Sequence, residues 1–231
     1  MFPIIFLGQG GNRTRLVIDI IKSMNMPQTE YYLLKSSPDS NDSLGLREVK
    51  IHEFPNVISI IKSHNNFNYR IKNNVIDQKN LELVKKFKEN LEDEIKEVNP
   101  KAIYFKEPRI RYLLPYFKKI FPSMKIVYID RVNRTSIKHY ESRAKLFNAY
   151  FNNQKKTLTE KDKVKLSNHI KKDNIQFFKQ NKINYCIINT DNLIKRDSYK
   201  FEINKLKLFM DIDKKEEEYI EEINKIIRFK D

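Results

Sequence analysis

Short apolar runs alternate with amphipathic stretches along this chain, and no hairpin signal joins one run to the next. That pattern predicts an α/β fold, a three-layer sandwich with helices on both faces of a central parallel sheet. Two further observations support it. Phe2 to Leu7 and Lys125 to Ile129 are almost continuously apolar, as strands buried on both faces must be. The first run leads through glycines directly into a helical pattern, the order of a strand, a tight loop and a helix start.

After the strand at Phe2 to Leu7, a helix starting at Thr14 places Leu16, Val17, Ile20, Ile21 and Met24 at helical spacing, and Met26-Pro27 stops it. Tyr31 to Leu34 reads as the second strand, followed by the polar, turn-rich Ser37 to Ser43. Residues 47 to 77 are less patterned: Val57 to Ile61 suggests a helix and Asn65 to Asn74 a loop. Gln78 to Val98 predicts a long helix, with Val84, Phe87, Leu91, Ile95 and Val98 on one face and paired charges on the other. Asn99-Pro100 ends it. Ala102 to Phe105 is a strand, Tyr112 to Phe121 a helix closed by Pro122, and Lys125 to Ile129 the next strand. Two polar helices are expected over about 134–152 and 158–180. Tyr185 to Asn189 is the last strand, with helices over Tyr199 to Phe209 and Glu216 to Phe229.

Composition fits one domain over residues 1–231, large enough for a sizeable core. Apolar residues make up 40% and charged residues 32%, and the mean hydropathy of −0.66 implies a heavily solvated surface. A net charge of +15 suits an anionic partner. Lys, Asn and Ile are abundant throughout, so the charge is read chiefly as surface lysine, and no nucleic-acid partner is expected from it. The single cysteine, Cys186, excludes an internal disulfide and a cysteine-based metal cluster, and its apolar setting predicts a buried structural thiol. The four histidines (His52, His64, His139, His169) lack ligand spacing, so no metal is expected. The opening residues lack the basic n-region of a signal peptide, and no run approaches the ~20 apolar residues of a membrane span. A cytoplasmic protein is expected.

Three segments carry the candidate chemistry, each following a strand. Gly8 to Arg15 joins a glycine-rich turn to a helix N-terminus, whose unpaired N–H groups carry partial positive charge. Arg13, Thr14 and Arg15 add two guanidinium groups and a hydroxyl. A Walker A loop would end in Gly-Lys-Ser/Thr, and a dinucleotide fingerprint would place a third glycine where Arg13 stands; its acidic ribose partner would have to be Glu30. Lys106-Glu107-Pro108-Arg109, with Arg111 behind, puts two cations on the next loop. Arg131 and Arg134, with Thr135 and Ser136, form a second candidate phosphate site, since arginine grips phosphate in a bidentate way. Ligands of parallel sheets bind beyond the strands' C-terminal ends, so these loops should meet on one rim.

Taken together, these segments resemble the sulfotransferases that use 3′-phosphoadenosine-5′-phosphosulfate (PAPS). Gly10-Gly11-Asn12-Arg13-Thr14-Arg15-Leu16-Val17 resembles the Gly-Gly-Ser-Gly-Thr-Arg variant of that family's 5′-phosphosulfate loop. Phe105-Lys106-Glu107-Pro108-Arg109, continuing to Leu113-Leu114-Pro115, is similar to its Lys-x-Pro-Arg…Leu-Leu-Pro segment. Phe121-Pro122 to Asp130-Arg131 resembles the strand leading to the 3′-phosphate motif. Ser40 to Leu44 is similar to an acceptor-side loop, and Ile187 to Ile194 to the family's Glu-Asp-Leu strand end.

The resemblance implies a P-loop-like sulfotransferase topology and in-line transfer of a sulfuryl group from PAPS to a hydroxyl or amine of a carbohydrate or small-molecule acceptor, leaving PAP (3′-phosphoadenosine-5′-phosphate). It implies that Gly10, Gly11, Asn12, Arg13, Thr14 and Arg15 hold the 5′-phosphosulfate and that Lys106 stabilises the transferred group, with Arg109 beside it. Arg131 would take the 3′-phosphate, assisted by His139 or Ser136. The base is open among Glu107, Asp42, His52 and Glu53. The chain departs from the family at four points. Arg13 replaces a glycine, Gly11 stands where the commoner loop has lysine, Pro108 replaces a frequent histidine, and His139 replaces a serine. The C-terminal basic glycine loop has no counterpart beyond Arg228-Phe229-Lys230. A protein of the same fold that binds a nucleotide or anionic glycan without turnover is the alternative, and a basic nucleic-acid binder ranks behind both.

Overall fold

In the computed structural model the described residues are 2–8, 13–24, 26–27, 29–35, 78–106, 110, 113–131, 147–148, 151 and 154–229. They contain five strands: β1 (Phe2–Gly8), β2 (Tyr31–Leu33), β3 (Ala102–Lys106), β4 (Lys125–Asp130) and β5 (Asn184–Asn189). The helices are α1 (Thr14–Ser23), α2 (Gln78–Ile95), α3 (Leu114–Ile120), α4 (Glu160–Gln180), α5 (Tyr199–Met210) and α6 (Ile220–Ile226), with a 3-10 turn at Glu216–Glu218. The five strands form one sheet in the order β2-β3-β1-β4-β5, and every pairing is parallel.

Strand alternation divides the core into two layers. Ile5, Leu7, Ile103, Phe105, Ile126 and Tyr128 face α2, α3 and the Phe177–Phe178 end of α4. Ile4, Phe6, Tyr104, Val127, Ile129, Cys186 and Ile188 face α1, α5 and α6. The architecture is therefore a three-layer α/β sandwich. On the first face Phe87 of α2 lies 5.4 Å from the Phe105 ring and 5.7 Å from the Phe117 ring. Such tilted pairs add about 0.5–1.5 kcal/mol each to the area they bury.

Helix α1 forms because Val17, Ile18, Ile20 and Ile21 recur at helical spacing and are buried, with Leu16 only partly so. Helix α2 buries Leu81, Val84, Phe87, Leu91 and Ile95, the apolar stripe of its sequence. Its last turns give way to Asn99, at φ 46°, and Pro100. The expected C-terminal helix is interrupted. Tyr219 sits at φ −137° between the 3-10 turn and α6, turned inward with Ile223 and Ile227 into the second core layer. The chain leaves α6 after Ile226, and Phe229 packs edge-on against Tyr199 at 4.9 Å. Helix α3 begins at Leu114, two residues later than the sequence suggests, with Pro115 in its first turn. The expected helix over about 134–152 falls mostly outside the described residues, as does everything between 36 and 77. Cys186 is buried, and burial pushes its thiol up to about 11, well out of nucleophilic range. No described helix is long and apolar enough to cross a membrane.

Candidate active site at the C-terminal rim of the sheet

Strand order decides which loops meet. β1 lies between β3 and β4, with Phe6 beside Lys106 and Gly8 beside Ile129. Asp130 of β4 pairs in turn with Asn189 of β5. The ends of β3, β1, β4 and β5 thus form one continuous rim. The chain leaves β1 toward β2 on one side and leaves β4 toward β5 on the other. The β1–β4 junction is therefore the switch point at which parallel sheets open a crevice.

At the end of β1, Gly8 lies close against the first residue of α1. A Cβ on Gly8 would fall 2.4 Å from the Thr14 side-chain methyl and 3.2 Å from the Ile129 carbonyl oxygen. Only glycine lets the first residue of α1 approach the strand this closely. Thr14 is buried beneath the rim, whereas Arg15 is exposed. Gly10, Gly11 and Asn12 lie outside the described residues.

Arg13 precedes α1 at φ 56° and ψ 34°, in the left-handed region, and gives the helix no side-chain cap. Its guanidinium crosses the end of β4. Nη1 donates to the Thr190 carbonyl at 3.1 Å and forms an ion pair with Asp191 Oδ1 at 3.5 Å. Arg131, the residue after β4, donates from Nε to the same Asp191 oxygen at 3.2 Å. Burial, then the neighbouring Arg131 guanidinium, pull the Arg13 pKa below its ordinary value, and Asp191 acts in the opposite direction.

The carboxylate between these arginines stands on a rigid base. The Thr190 N–H and hydroxyl both donate to the Asp130 carbonyl at 3.0 Å, tying β5 to β4 just beyond their ladder. The Asn189 N–H donates to Glu202 Oε2 at 3.0 Å, and Asn189 Oδ1 accepts from the Asp191 N–H at 3.0 Å. Glu202 is buried in α5 and paired with Lys205 at 2.6 Å. On the other face of the sheet Lys171 of α4 forms a close ion pair with Asp130.

Lys106 ends β3 and is 6% exposed, so its charge lies largely out of water. By strand alternation it shares the α1 side of the sheet with Gly8. Strands lie ~4.8 Å apart, so Lys106 and Arg131 are two spacings from one another sideways. Phe6 pairs with both Lys106 and Val127, so Arg131 also stands four residues further along, and the two are roughly 16 Å apart at ~3.3 Å per residue. Glu107, Pro108, Arg109 and His139 lie outside the described residues, as do Asp42, His52 and Glu53.

Of the expected site residues, the structure brings Arg13 and Arg131 together and sets Thr14 and Lys106 on adjacent strand ends. Sequence reasoning missed Asp191 as a site residue. The available signal was its position just past β5, a carboxylate on the rim already crowded with cations. Compared with known proteins, the chain matches no protein-family model and no curated protein.

Proposed function

We infer that this chain binds PAPS at the sheet rim and transfers its sulfuryl group to a hydroxyl or amine of a carbohydrate or small-molecule acceptor. One observation carries the reading: the ends of three adjacent strands bear, in order, Lys106, Gly8 with Thr14 packed against it, and Arg131. A row of cations and a helix N-terminus spread over roughly 16 Å suits a ligand with two anionic ends better than a single phosphate or sulfate.

The residues present fit such a ligand. The α1 N-terminus and the Thr14 hydroxyl offer donors to the 5′ group, and the close Gly8 turn sets their height above the sheet. Lys106, largely buried, would stabilise the transferred group with a charge that is worth more there than in water. Arg131, held by Asp191, would take the second anionic end. When bound, PAPS supplies the activated sulfuryl group and its phosphate leaving group. The protein's part is to orient it and to place positive charge where negative charge develops.

The test has two stages. A thermal-shift titration with PAP, ATP and NAD should give a PAP-selective response; no response to any of the three would sink the enzyme reading. Transfer of labelled sulfate from PAPS to a panel of hydroxylated acceptors should then fall roughly 100- to 1,000-fold in Lys106→Met, a variant that keeps the side chain's bulk. PAP binding without transfer to any acceptor would instead favour the non-catalytic binding protein.

A further inference from the structure

Four described non-glycine residues have positive φ: Arg13, Asn99, Lys182 and Asp211. Asn99, Lys182 and Asp211 follow the C-terminal ends of α2, α4 and α5, where a left-handed residue is a common way to end a helix. Arg13 stands at a helix N-terminus, where no such role exists, and an L residue is strained in this conformation. Glycine would adopt this conformation without strain. The arginine at this position therefore calls for a reason in its side chain.

The side chain does not turn back over α1. It reaches past β4 to the Thr190 carbonyl, at 3.1 Å, and to Asp191. There it meets Arg131 on the same carboxylate oxygen, at 3.5 Å and 3.2 Å. Two guanidiniums share that oxygen, and their mutual repulsion favours an added anion. The platform is fixed from below by the hydrogen bonds from Thr190 to Asp130 and from Asn189 to Glu202.

We propose that Arg13 is a specificity-determining residue that pairs with Arg131 to bind the second, 3′ anionic group of a bisphosphorylated nucleotide, with Asp191 positioning both guanidiniums. The assignment rests on the PAPS reading of the site and changes its inner division. Arg13 belongs with the β4–β5 end of the rim, and the 5′ group is left to Thr14, the α1 N-terminus and Lys106.

PAP and 5′-AMP differ only in the 3′-phosphate, so the ratio of their affinities isolates this subsite. Calorimetric titration of the full chain should show preference for PAP. Arg13→Gly suits the left-handed backbone and so preserves the turn. It should cut that preference about tenfold or more while 5′-AMP affinity changes less than about twofold. Asp191→Asn should lower the same ratio by a smaller factor, since both arginines persist without their shared anchor. Equal weakening of PAP and 5′-AMP in Arg13→Gly would place Arg13 on the 5′ group and overturn the assignment, as would an unchanged ratio. A wild-type chain that binds no PAP fails differently, because it removes the PAPS reading itself.

Discussion

Helices α1 and α4 both begin with orphan N–H groups, and the chain treats the two ends in opposite ways. At α4, Thr159 accepts a hydrogen bond from the Asp162 N–H at 3.2 Å, and Asp162 accepts one from the Thr159 N–H at 3.1 Å, a reciprocal capping box. Glu160 and Asp162 place negative charge in the first turn, and Lys155 closes over Asp162 at 2.7 Å. At α1, Arg13 offers no side-chain cap, the first turn holds no acidic residue, and the cap residue is strained. One end is completed by the protein's own carboxylate. At the other, no described residue places negative charge in the first turn, and the partial positive charge of such a helix end favours an anion.

An alanine introduced near each of the two ends should therefore do different things. Gly8→Ala should have the largest effect. Its Cβ would sit 2.4 Å from the Thr14 methyl, so Thr14 and the first turn of α1 must shift. Overpacking of this kind costs about 1–3 kcal/mol. Urea denaturation should show that loss, and PAP binding should fall with it because the displaced turn carries the donors. Retained PAP affinity in a destabilised Gly8→Ala protein would break the comparison, since the α1 end would then have no part in the ligand.

Thr159→Ala removes half of the capping box at α4 and should cost about 0.5–2 kcal/mol. Here the effect should be on stability alone, with nucleotide affinity unchanged once the protein is folded. A change in PAP binding comparable to that of Gly8→Ala would mean that the α4 end is also part of the ligand site.

This contrast also separates what the sequence discloses from what it conceals. The β1–turn–α1 unit is legible because a buried strand, a glycine and a helical apolar stripe are all local signals, and α2 because its stripe persists from Leu81 to Ile95. Lys106 and Arg131 could be placed on one rim because parallel strands bring their C-terminal ends together. The partnership of Arg13 with Asp191 could not be read, since it spans 178 positions and depends on β5 lying beside β4. The break before α6 was hidden for another reason. Charged residues at 216–218 and 221–222 are good helix formers, and local propensity there favours one continuous helix. Burial of Tyr219 overrides it, turning the chain so that Tyr219, Ile223 and Ile227 enter the core together.

Acid sensitivity gives the finest distinction between the two ends. Hydrogen bonds from Lys155 and then Thr159 hold the Asp162 carboxyl well below its ordinary 3.8, at about 2. A carboxylate whose pKa is lower in the folded chain binds fewer protons there than in the unfolded chain, so it stabilises the fold at higher pH. That contribution is fully present above the unfolded value of 3.8 and fades as pH falls through about 2. Asp162→Asn cannot titrate. The stability difference between wild type and this variant should therefore be constant at neutral and mildly acidic pH. It should then narrow between pH 3.8 and about 2, as followed by chemical denaturation across that range. Helix α1 has no acidic residue in its first turn and should contribute no such component. A difference that stays flat down to the lowest pH would mean that Asp162 is not a charged cap and that the α4 end is no more closed than the α1 end.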